Sequence, residues 1–138
     1  MGSVFYDPEF PFPGGGPPAD KLLVLLNEPR EGDEPYIYVW GNSHDILQPR
    51  LSLGCYEDVQ FFFIPAKNSA DFFEKNTWIY LYECFAAPNF TYTVDNYKGT
   101  ISDPTLGRLI KCVKAVGAIA EQYVVFTMDS WKRRFKST

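Results

Sequence analysis

The 138-residue chain predicts an α+β fold: a mainly antiparallel β-sheet with one C-terminal amphipathic helix packed on it, followed by a final strand. Three observations carry that expectation. Residues 1–103 hold 15 Asp/Glu and 6 Lys/Arg, a net of −9, whereas residues 104–138 hold 2 and 7, a net of +5. The same boundary divides aromatic sequence alternating in period two from a segment with helical spacing. Aromatic residues make up 17% of the chain, enough that some rings are expected at the surface rather than in the core. The length fits one domain of ordinary size.

Residues 1–20 read as a Pro/Gly-rich arm or hinge, because the run from Phe10 to Pro18 lacks donors and is costly to order. Phe5, Tyr6, Phe10 and Phe12 give that arm rings with which to dock. A single β-rich globular domain is expected over residues 21–128. Lys21–Leu26 is a short apolar run of the kind found in buried strands, and Glu28–Glu34 is a charged loop. In Tyr36–Trp40 the side chains of Tyr36, Tyr38 and Trp40 point one way, those of Ile37 and Val39 the other. Gly41–Asp45 reads as a turn, and Arg50–Leu53 is compatible with a short strand. Asp58–Ile64, with three consecutive phenylalanines, reads as a strand covered on both faces and ended by Pro65.

Ser69–Lys75 fits either a short helix or a loop. Thr77–Phe85 is the strongest strand, with Trp78, Tyr80 and Tyr82 on one face and Ile79 and Leu81 on the other. Residues 95–99 suit a hairpin loop between Phe90–Val94 and Thr100–Ile101. Asp103 is a good helix N-cap, and Pro104 is tolerated at the first helical position. Leu106, Leu109, Ile110, Val113, Gly117 and Ala120 then form an apolar stripe, with Arg108, Lys111 and Lys114 off it. Gly117 on the stripe implies close approach to the sheet. Tyr123–Met128 reads as a returning strand, and residues 129–138 as a basic tail.

Cys55, Cys84 and Cys112 lie far apart with no C-x-x-C. That spacing reads as buried free thiols in the cytoplasm or another reducing compartment. No signal peptide and no transmembrane segment is recognisable. A pI near 4.9 disfavours nucleic acid as a partner, since phosphate binding needs a surplus of Lys and Arg.

No catalytic, metal or cofactor motif rises above chance, and neither a metal nor a cofactor is expected. The sole histidine, His44, lies in Gly41-Asn42-Ser43-His44-Asp45. Consecutive residues of an extended chain point to opposite sides, so Ser43, His44 and Asp45 do not align as a triad. An enzyme would be a small hydrolase pairing His44 with Cys55 or Ser43. The aromatic stripes are the stronger lead. Tyr36, Tyr38, Trp40, Trp78, Tyr80 and Tyr82 would form one platform if their strands were neighbours, and would otherwise be core. Lys132, Arg133, Arg134 and Lys136 in the tail could dock on acidic surface of another copy, or give weak nucleic-acid binding. The sequence therefore favours a noncatalytic binding or structural module, aromatic-surfaced and self-associating, with a protein or an identical subunit as partner. Its composition would suit a viral structural or host-interaction protein.

Overall fold

The computed structural model describes residues 1–11, 17, 19–30, 34–44, 51–66, 73–90 and 92–136. Eight strands form one antiparallel sheet: β1 (Ser3–Phe10), β2 (Ala19–Leu25), β3 (Tyr36–His44), β4 (Gly54–Tyr56), β5 (Phe61–Ile64), β6 (Asn76–Tyr80), β7 (Phe85–Ala87) and β8 (Tyr97–Thr100). Their order across the sheet is β4-β5-β6-β3-β2-β1-β8, and β7 also pairs with β3. Two helices follow, α1 (Asp103–Val116) and α2 (Glu121–Lys136).

Period-two alternation builds two cores, one on each face of the sheet. Val24 and Leu26, Ile37 and Val39, Phe62 and Ile64, and Ile79 and Leu81 face the helices and are buried with Leu106, Leu109, Ile110 and Val113 of α1. Leu23, Leu25, Tyr38 and Trp40 face the opposite way and pack with Phe5 and Phe10. The alternation expected in β3 and β6 is present, and so is the two-sided burial of β5, where Phe62, Phe63 and Ile64 are all at most 1% exposed. Burying side chains of this size contributes roughly 1.5–3 kcal/mol each, so the two cores are the main source of stability.

Several expectations need correction. Residues 3–10, expected as part of an arm, are strand β1, with Val4 and Phe10 fully buried. Pro8 fits because the ladder to β2 shifts register between Asp7 and Phe10, so its missing N–H breaks no regular pair. The expected turn at Gly41–Asp45 is strand as far as His44, where β3 pairs with β6. Gly117 does not approach the sheet; it adopts φ +70° and caps α1, with nothing within 4 Å of where a Cβ would stand.

The expected final strand, Tyr123–Met128, and the expected basic tail form one helix, α2. Its buried positions include Thr127 and Ser130, 1% and 2% exposed, so polar residues interrupt the helical apolar period. The remaining run of β-branched and aromatic residues imitates a strand. α2 packs antiparallel to α1. Gly107 supplies the close approach, since a Cβ there would lie 3.1 Å from the Trp131 ring. Arg134 pairs with Asp103 at 2.8 Å where α1 begins. Ser102 precedes α1 as its N-cap, with Asp103 inside the first turn.

Candidate binding surface

The helix-free face of the sheet is paved with rings. The long strand β3 makes this possible by pairing with β7 through Tyr36–Tyr38 and with β6 through Gly41–His44. The strands carrying the two aromatic stripes are therefore neighbours. Between β6 and β7 the chain leaves the ladder, and Tyr82 stands there with its ring edge-on to Trp40, 5.8 Å between centroids.

From Trp40 the contacts run to Phe10 at 5.4 Å, on to Phe85 at 5.7 Å, and then to Tyr38 at 6.2 Å. Tyr38 meets Tyr92 edge-on at 5.6 Å, and Tyr92 stacks on Phe5 at 5.5 Å. Phe5 also touches Phe90 at 5.3 Å and Tyr97 at 5.9 Å, and Phe90 reaches Tyr36 at 5.5 Å. Contacts of this geometry add about 0.5–1.5 kcal/mol per pair beyond area burial. The network is rigid because its centre is closed: Tyr38 and Trp40 are 1% and 2% exposed.

Its margin is open. Tyr82 is 46% exposed, Phe90 41% and Tyr97 45%. Tyr36, Trp78 and Tyr80 are half-buried, with Trp78 against Phe63 at 5.1 Å. Of the six rings named from sequence, two are core and four lie at or near the surface. Phe85, Phe90, Tyr92 and Tyr97 complete the network, and stripe reasoning missed them because most lie outside long alternating strands. The one available signal was their density in residues 85–97.

Asn96 fixes this segment. Its amide donates to the Tyr6 carbonyl at 3.2 Å, and its backbone carbonyl accepts from Tyr6 N–H at 2.8 Å. Tyr92 donates its hydroxyl to Asp7 at 3.0 Å; burial, and secondarily Asp7, pushes the Tyr92 phenol upward. A cleft of about 270 Å³ beside the margin is lined by Pro29, Arg30, Glu34, Tyr36, Pro88, Asn89 and Phe90.

The basic segment is largely engaged inside the molecule. Arg133 donates to the Glu28 carbonyl at 2.8 Å and pairs with Asp129, and Arg134 pairs with Asp103. These two arginines, expected to dock on another copy, make contacts with their own chain. Lys132 remains exposed, while the Lys136 side chain lies outside the described residues. Among the described residues, the exposed cations of the helical layer are Arg108, Lys111, Lys114 and Lys132.

Two of the enzyme candidates, Ser43 and Cys55, are placed apart. Cys55 is bonded to Cys112, which corrects the expectation of free thiols at both positions and leaves Cys84 as the free cysteine. Fifty-seven residues separate the partners, so only the placement of α1 beside β4 reveals them. Ser43 exchanges a 3.0 Å hydrogen bond with Thr77. Ser43 and Cys55 lie on strands three positions apart, roughly 14 Å across the sheet. His44 pairs through its backbone with Asn76, and its side chain lies outside the described residues. Among the described residues no group of three or more His, Cys, Asp or Glu is placed to hold a metal, and no helix is long and apolar enough to cross a membrane. Comparison with protein-family models, curated proteins and solved structures gives no match to this chain.

Proposed function

We propose that this protein is a noncatalytic binding module whose ring-paved sheet face takes a protein surface, and that a second copy of the chain is its occupant. The observation that carries the reading is the exposed margin of Tyr82, Phe90 and Tyr97 on an aromatic network whose centre is closed. Such rings bury large area on contact, and their neighbours already hold them in place, so little conformational freedom is lost on binding. Charge supports a second copy as occupant. Asp7, Glu9, Glu83 and Asp95 lie on the strands and loops of the sheet, whereas Arg108, Lys111, Lys114 and Lys132 are exposed on the helices. Two copies can therefore meet with opposite charges facing.

Sedimentation velocity across a concentration range tests this directly. Mass rising with concentration is expected, and Phe90→Ser or Tyr97→Ser should weaken the association by about 30-fold, the loss typical of a central aromatic contact. A chain that stays monomeric at millimolar concentration, or an association indifferent to both substitutions, overturns the reading.

A further inference from the structure

The disulfide has two unlike sulfurs. Cys55 is exposed at the middle of the short edge strand β4, whereas Cys112 is 1% exposed inside α1. A cleft of about 240 Å³ opens beside them, lined by Glu57, Phe62, Arg108, Lys111 and both cysteines. Arg108 and Cys112 are four residues apart on the helix and so share a face. Arg108 donates to the Leu53 carbonyl at 2.8 Å, which anchors the residues preceding β4 to the same helix. The cleft thus presents one approachable sulfur, two cations and one carboxylate.

From this we infer that Cys55–Cys112 is a thiol-exchange site for a small carboxylate-bearing thiol, of the amino-acid or short-peptide kind. Two carboxylates on such a molecule meet Arg108 and Lys111, and an ammonium group meets Glu57. Its thiolate attacks Cys55 Sγ and forms a mixed disulfide there. The Cys55–Cys112 bond breaks, and its electron pair leaves on Cys112 Sγ, which takes a proton from solvent. The Phe61 carbonyl, 4.0 Å from that sulfur, accepts from the new thiol. A second thiolate then attacks the sulfur of the first, and the mixed disulfide breaks with its electron pair on Cys55 Sγ, which takes a proton from solvent. The small thiol leaves as its own disulfide, and both protein cysteines are reduced. The order of attack follows from exposure, because the buried Cys112 offers no approach to an incoming thiolate. Opening the bond frees β4 from its covalent tie to α1, while Arg108 still holds the Leu53 carbonyl.

The test uses the intact chain at one pH with glutathione, 2-mercaptoethanol and cysteamine, which are net anionic, neutral and cationic. Rates are normalised to thiolate concentration and to each thiol's rate on a small disulfide, and mass spectrometry locates the adduct. Glutathione should react roughly tenfold faster than cysteamine at low ionic strength, with the gap closing in high salt. The first adduct should sit on Cys55. Lys111→Glu, at an exposed position chosen to leave the fold intact, should shrink or invert the preference. Equal normalised rates for the three thiols, a first adduct on Cys112, or a Lys111→Glu chain with unchanged preference each overturn the assignment. So does a reaction rate that matches the global unfolding rate.

Discussion

Tyr38 places a hydroxyl in a closed apolar setting with no hydrogen-bond partner among the described residues. Its phenol is pushed upward, by burial first and by Tyr36 second, so it stays neutral and keeps a proton it cannot use. An unpaired buried polar group costs about 1–3 kcal/mol, and Tyr38→Phe removes the hydroxyl while keeping the ring contacts. Stability should stay level or rise by about 1 kcal/mol, read as the urea midpoint; a clear fall would show a partner for the hydroxyl. Cys84 behaves differently because it titrates within reach. Burial, and secondarily Glu83, moves its thiol from 9.0 up to about 11. At pH 8 the reactive thiolate is then about a hundredfold scarcer than in an ordinary thiol, and alkylation should slow by that factor. Because the folded value is the raised one, Cys84 supports the fold below pH 9 and loses that support as pH climbs toward 11. Iodoacetamide labelling as a function of pH measures the first effect. At this scale the sequence was partly readable. Gly117 was expected to make a close approach, but it ends the helix, and the close approach falls to Gly107, which admits Trp131.

The elements most legible in the sequence were those whose faces differ in chemistry. β3 and β6 alternate rings with aliphatic residues, and α1 carries its apolar residues at helical spacing, so each announced its type. β1 and α2 did not. Pro8 concealed β1 by sitting where the ladder slips, and Thr127 and Ser130 concealed α2 by occupying buried positions with hydroxyls. Those hydroxyls have work to do in the fold. Ser130 accepts from Glu28 N–H at 3.0 Å and donates to the Glu28 carbonyl at 3.2 Å, tying α2 to the loop after β2. Ser130→Ala takes the partner from the Glu28 N–H, while Arg133 still donates to the Glu28 carbonyl, and should lower stability by about 1–3 kcal/mol, measured by denaturant titration. An unchanged midpoint would mean that water replaces the serine at no cost. The loop itself is closed by Asn27, which is fully buried, accepts from Ile37 N–H and donates to the Pro35 carbonyl.

Across the whole molecule, the charge reversal near residue 104 became a separation in space: an acidic sheet carrying rings, and a helical layer with a surplus of cations. The sequence showed the two signs but not that Arg133 and Arg134 would be spent on Glu28, Asp129 and Asp103 of the same chain. Nor did it show which rings would be sealed, since that depends on which strands β3 pairs with along its length. If copies meet ring face to helix layer, their association should weaken with added salt, most steeply below about 0.15 M where screening sets in. Sedimentation at several ionic strengths reads this, and a salt-independent dimer would point to contact between two ring faces instead. The link between Cys55 and Cys112 has one more consequence. It closes a covalent loop that takes in β5 through β8 and most of α1, while β1, β2, β3 and α2 lie outside it. A single protease cut anywhere between residues 56 and 111 should therefore leave the halves migrating as one band on a non-reducing gel, separating only once the bridge is opened.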